Sequence, residues 1–159
     1  MDEILIVLGH RSGAIAPTLS ELGVRVVVND AYREGMLSSV RAGVHAADPD
    51  AEWLLLALGD QPTLRPETVE RLLAEAEAGD AGLVVPSYER RRGHPLLIHR
   101  RYREEIDALS GETGLRELFQ RHPQAIRHVE VESQTVLQDM DTPEEYRRTL
   151  EALEDELAG

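Results

Sequence analysis

The stretch Trp53 to Pro62, WLLLALGDQP, decides how the rest of this chain is read. Leu54, Leu55, Leu56, Ala57 and Leu58 form an unbroken apolar run that stops at Gly59. Such a run predicts a strand buried on both faces of a parallel sheet. Immediately past its carboxyl end stands one acid, Asp60, followed by Gln61 and Pro62. In open α/β sheets ligands sit beyond the carboxyl ends of the strands, so a carboxylate there is placed to hold a divalent metal on a phosphate. The competing reading of Asp60 is a helix or turn cap.

Outward from that stretch, apolar runs and helical spacings alternate. Ile4–Leu8 and Val24–Val28 read as strands, Ser12–Leu22 and Met36–Ala47 as helices, and Asn29–Gly35 as a polar loop. Downstream, Pro66–Ala78 is a helix with core face Val69, Leu72, Leu73 and Ala76. Leu83–Pro86 is a short strand and Pro95–Ile98 an edge or short strand, since a leading proline donates nothing to a ladder. Arg101–Leu109 and Gly114–Arg121 read as helices, and Ile126–Val131 alternates without declaring its buried side. Thr142-Pro143-Glu144-Glu145 is a capping box that opens a last helix, with core face Tyr146, Leu150, Leu153 and Leu157. Alternating strands and helices imply right-handed crossovers and a mainly parallel sheet covered on both faces, in a single domain over residues 1–159.

Composition narrows the function. There is no cysteine, hence no disulfide framework and no thiolate metal site. The net charge of -13 argues against a nucleic-acid partner. No apolar run is long enough for a membrane span and the N-terminus lacks signal-peptide layout, so the expected location is the cytoplasm. No lysine is present, which excludes a Schiff base or a phosphate-loop lysine within this chain. A small phosphorylated ligand remains allowed, because a bound metal supplies positive charge.

Three constellations carry candidate chemistry. Asp60 and Asp141, from strand ends distant in sequence, are the candidate metal-binding and catalytic carboxylates, with Asp139 beside Asp141. Mg²⁺ takes one or two carboxylates plus substrate phosphates, which suits this pair, although Asp141 also reads as an acid at a helix N-terminus. Gly35, Ser38 and Ser39 open a helix after a strand and are candidates for reading a nucleotide. Arg90, Arg91 and Arg92 are the only run of three consecutive arginines. Followed by Gly93, His94 and Pro95, they either grip a phosphate or form a solvated loop tip.

In the order ILIVLGH (4–10), VRVVVN (24–29), EGMLSSVRAG (34–43), LLLALGDQP (54–62), RRGHPLL (91–97), LSGETGLRELFQRHP (109–123) and DMDTPEEY (139–146), the chain resembles MobA/MocA-like nucleotidyltransferases, in particular the molybdenum cofactor cytidylyltransferase branch. DMDT taken alone also resembles the nucleophile motif of haloacid-dehalogenase-like phosphatases. That motif follows a first strand, whereas here a single helix follows it. The nucleotidyltransferase resemblance implies a Rossmann-like, three-layer fold of the GT-A type. It implies transfer of CMP from CTP to the Mo-molybdopterin cofactor, with release of pyrophosphate and a requirement for Mg²⁺. Asp60 and Asp141 fall where the family places its metal side, Gly35, Ser38 and Ser39 at the nucleobase and ribose loop, and Arg92, Gly93, His94 and Pro95 at the acceptor side.

Members of the family begin with a further strand and a glycine-rich loop, LAAGxSxRMGxxK, which has no counterpart in this sequence. The resemblance therefore predicts an N-terminally truncated domain, with Met1-Asp2-Glu3 standing where the family often reads Val-Asp-Glu. It also predicts strands 4–8 and 54–58 either paired directly or with open edges, the latter favouring a homo-oligomer. The alternative function is an inactive relative that acts as a cofactor- or partner-binding module.

Overall fold

The computed structural model describes residues 3–158, with side chains described through Leu153. Met1 and Asp2, part of the Met1-Asp2-Glu3 comparison, and the side chain of Leu157 lie outside the described residues. The chain forms two compact units, Met1–Leu54 with Ile98–Gln124, and Leu55–Leu97 with Ala125–Gly159.

In the first unit, β1 (Leu5–Leu8) pairs in parallel with β2 (Arg25–Val28), with Leu5 opposite Arg25 and Leu8 opposite Val28. The connection is α1 (Ser12–Ile15) followed by a 3₁₀ turn, Ala16–Leu19. The helix expected over Ser12–Leu22 is thus shorter, because Pro17 lacks an amide donor and the turn tightens around it. α2 (Met36–Ala46) buries Leu37, Val40 and Val44. Gly43 lets it approach β1 closely, since a Cβ there would stand 3.2 Å from Val7 Cγ2. α4 (Arg103–Ala108) and α5 (Arg116–Arg121) complete this unit. Arg41 of α2 donates to the carbonyls of Ile106, Asp107 and Leu109 at the end of α4 (3.3, 2.9 and 2.6 Å). It thereby bonds carbonyls at the end of α4, where intrahelical donors run out.

The second unit is built on β4 (Leu83–Tyr88), whose Leu83, Val84 and Val85 are fully buried. β7 (Ile126–Glu130) runs parallel to β4, from Leu83 opposite Ile126 to Ser87 opposite Glu130. β5 (Arg91–Arg92) turns back antiparallel. α3 (Pro66–Glu77) packs with Thr68, Leu72 and Ala76 buried, and α6 (Pro143–Ala158) closes the chain. β3 (Trp53–Leu56) and β6 (Leu96–His99) belong to the same five-stranded sheet, in the order β3-β6-β4-β5 with β7 on β4. The sheet is mixed.

Several expectations are corrected. β3 is four residues long and half-buried throughout, not buried on both faces, because it ends the strand order and has one open edge. β1 and β3 lie in separate sheets, so of the two arrangements expected for them the open-edge one holds among the described residues. Of the two readings of Pro95–Ile98, edge or short strand, the short strand holds and the edge does not: β6 is interior to the sheet, because Pro95 stays outside the strand and removes no ladder donor. On α6, Tyr146 is 52% and Leu150 41% exposed, so the expected core face is not buried there. On α3 the buried stripe is Thr68, Leu72 and Ala76, rotated from the expected face.

Candidate functional site

The second unit brings three loops together. Asp60 leaves the segment after β3, and its carbonyl accepts the amide of Met140 at 2.9 Å. Asp139 and Asp141 therefore flank the residue that is tied to Asp60. Gln61 Nε2 donates to Asp139 Oδ1 at 2.6 Å, a second tie between the same two segments. The third loop follows β5, where the amide of Gly93 donates to Pro86 O and that of His94 to Val136 O, both at 2.9 Å.

Gly93 is there for space. A Cβ at that position would stand 2.2 Å from the carbonyl oxygen of Val136, which no side chain tolerates. Gly93 and Pro95 are buried, so what this stretch presents outward is Arg92 and the half-buried His94. Burial pushes the His94 imidazole below its ordinary pKa, against the opposing charges of Asp139 and Asp60. A neutral imidazole beside those acids offers one N–H and one lone pair.

Asp60, Asp139 and Asp141 are exposed. Among the described residues none of them forms an ion pair with an arginine or histidine within 4.0 Å, and no group of three His, Cys, Asp or Glu side chains could hold a metal alone. Mg²⁺ commonly takes only one or two carboxylates, its remaining positions filled by water and substrate phosphate. Asp141 also serves the expected cap. Its amide donates to Glu145 Oε2 (3.0 Å), which also accepts from Thr142 N (2.8 Å), while Thr142 Oγ1 accepts from Glu145 N (3.2 Å). The box consumes the Asp141 backbone and leaves its carboxylate available.

In the first unit the hub is Asn29, directly after β2. Its buried amide donates to Ser38 Oγ (2.9 Å) and Ser39 Oγ (3.0 Å) and accepts from Ala31 N (3.0 Å). Ser38 is further engaged with the carbonyls of Gly35 (2.8 Å) and Ala31 (3.0 Å). Neither serine is an N-cap, since that position is Gly35, with φ 103° and ψ 177°, a conformation essentially restricted to glycine. Ser38 is engaged on several sides by its own chain, whereas Ser39 Oγ accepts from Asn29 alone among the described residues. Asn29 is the residue missed, and its signal was local, since it ends a β-branched strand.

Residues 1–126 match the family described as MobA-like NTP transferase domain. The chain belongs to that family. Its members are nucleotidyltransferases with an α/β fold, as the resemblance implied. Nicotine blue oxidoreductase of Paenarthrobacter nicotinovorans is 32% identical over 93% of this chain and 75% of its own length. The molybdenum cofactor cytidylyltransferase of Escherichia coli strain K12 is 25% identical over 91% of this chain and 72% of its own. The crystal structure of Rv0371c from Mycobacterium tuberculosis H37Rv in complex with manganese matches with a TM-score of 0.77 and 29% identity. That match covers 95% of this chain and 79% of the other. No helix among the described residues is long and apolar enough to cross a membrane.

Proposed function

We propose that this chain is a nucleotidyltransferase of molybdenum cofactor maturation, which transfers CMP from CTP to the phosphate of Mo-molybdopterin and releases pyrophosphate. The observation that carries the reading is the pair of ties, Met140 N to Asp60 O and Gln61 to Asp139, that hold GDQP against DMDT in a family of NTP transferases. The similarity to the Escherichia coli cytidylyltransferase supports the choice of nucleotide and acceptor.

In this reading Asp60 and Asp141 would hold Mg²⁺, with Asp139 beside them, and the ion would supply positive charge to the phosphates. Gln61 keeps Asp139 in place. Arg92 and His94 orient the acceptor phosphate toward the α-phosphorus, His94 through the N–H of a neutral ring. Gly35 and Ser39 receive the nucleoside, Ser39 through its hydroxyl, with Ser38 and Asn29 fixing the loop. Most of the rate gain is then positioning and preorganised charge.

The test is pyrophosphate release with CTP, Mo-molybdopterin and Mg²⁺. Release should fall by on the order of 10²–10³ in Asp60→Ala, the usual loss for one preorganised electrostatic contact, and should vanish with a chelator. A wild-type rate no higher than that of Asp60→Ala would sink the reading. The 32% identity to nicotine blue oxidoreductase favours a second reading, in which the same fold serves a redox reaction. Turnover of nicotine blue without pyrophosphate release would select it.

A further inference from the structure

The hairpin that carries the three arginines ends in a contact outside the residues considered so far. Arg92 on β5 and His128 on β7 flank β4 on opposite edges. Ser87 pairs with Arg92 on one side and with Glu130 on the other, while Val85 pairs with His128. Paired residues and those two apart share a sheet face, so Arg92, His128, Glu130 and Ser87 lie on one face. Arg127, on the opposite face, reaches Glu75 of α3. Across β4, Arg92 Nη2 comes within 3.4 Å of His128 Nε2.

A guanidinium offers only donors, so a hydrogen bond between the two uses the lone pair of His128 Nε2. Burial, and then the Arg92 charge, both hold the imidazole below its ordinary pKa. No carboxylate among the described residues forms an ion pair with Arg90, Arg91 or Arg92, although the chain carries 30 acidic residues.

The remaining charged groups near His128 are otherwise occupied. Glu130 Oε1 accepts from the amide of Glu89 (3.0 Å), Arg71 of α3 donates to Glu130 O (2.7 Å), and Arg127 pairs with Glu75. β4 faces His128 with apolar residues and Ser87, and the turn Gln134–Leu137 holds no titratable group. A cation and an imidazole are thus held side by side and exposed, with the Glu130 carboxylate on the same face engaged by the Glu89 amide.

We propose that Arg92 and His128 form a two-point phosphate subsite, Arg92 supplying fixed charge and His128 taking up a proton from solvent as a phosphate dianion binds. The dianion accepts from both side chains, and the lone pair that Nε2 lent to Arg92 becomes an N–H donor to the phosphate. The inference rests on the acceptor-side reading of Arg92 and extends it to a residue of β7. It makes phosphate recognition pH-dependent, strongest where His128 protonates readily.

The test follows the imidazole resonances of the six histidines by NMR in the full chain, without nucleotide or metal, in inorganic phosphate against chloride at matched ionic strength. Saturating phosphate should raise the His128 pKa by about one unit, equivalent to about tenfold tighter binding to the protonated ring. The shift should disappear in Arg92→Gln, and in His128→Gln the pH dependence of phosphate affinity should reduce to that of phosphate's own second ionisation. An unmoved His128, an equal shift at all six histidines, or an undiminished shift in Arg92→Gln would overturn the proposal. None of these outcomes bears on pyrophosphate release, so the subsite and the transferase reading fail separately.

Discussion

At the scale of single residues, the turn of the β4-β5 hairpin and Gly93 show what the backbone demands. Tyr88 pairs with Arg91, and the two residues between, Glu89 and Arg90, have φ of 48° and 66°. Tight two-residue hairpins require this left-handed backbone and ordinarily take Asn-Gly or Asp-Gly. A non-glycine residue there costs roughly 1–2 kcal/mol, of which glycine's extra chain entropy would offset roughly 0.5–1. Arg90→Gly should therefore raise the urea midpoint slightly, while Arg90→Val should lower it. Gly93→Ala is the opposite case. The added methyl meets the Val136 carbonyl, so the variant should lose at least ~1–3 kcal/mol in chemical denaturation, the cost of overpacking. It should also displace His94, whose amide bonds the same carbonyl.

At the scale of elements, side chains organise loops more than loops organise side chains. The segment between α4 and α5 is gathered on Glu117, which accepts from Ser110 N (2.9 Å), Ser110 Oγ (2.7 Å) and Thr113 Oγ1 (3.2 Å) and pairs with Arg121. The hydrogen bonds from Ser110, side chain first and then backbone, bring the Glu117 pKa down to about 2. Glu117→Gln should loosen this loop, measured as faster amide exchange at Ser110, with a stability deficit that shrinks as the medium is acidified. At the start of α6 the capping box makes a second such knot. Thr142→Ala should cost ~1 kcal/mol and leave Glu145 Oε2 with fewer donors. α6 itself shows that periodicity names an apolar stripe without naming what covers it, since Tyr146 and Leu150 are exposed.

For the whole molecule, protonation links these sites to stability. His94, His99 and His128 all titrate below their ordinary value, with burial the leading cause. The unfolded chain binds their protons at higher pH than the folded one. Their contribution is therefore full above about 6.5 and declines as pH falls through the lowered values. Burial opposes ionisation of Glu105, yet the hydrogen bonds and charges of His122 and Arg121 hold it below the usual range. Glu145 is lowered by its bonds from Thr142 and Asp141. With Glu117 they add stability that is present above about 4.5 and lost as the medium becomes more acidic. A pH series of denaturant midpoints should thus fall in two stages on acidification, one near the histidine range and one in the carboxylate range. His94→Gln should flatten only the first.

The order of strands and helices was legible from the chain because periodicity, glycine stops and the Thr142–Glu145 box are local properties. Recognition of the family rested on the same local words. How residues 60, 139 and 141 stand toward one another was not legible, since their adjacency is made by Met140 N on Asp60 O and by Gln61 on Asp139, bonds across 78 or more positions. Nor was the burial of β3, the interior place of β6, or the meeting of Arg92 with His128. Each of these depends on which edges pair and which faces are covered, and those choices are settled by contacts between distant segments that no window of sequence contains.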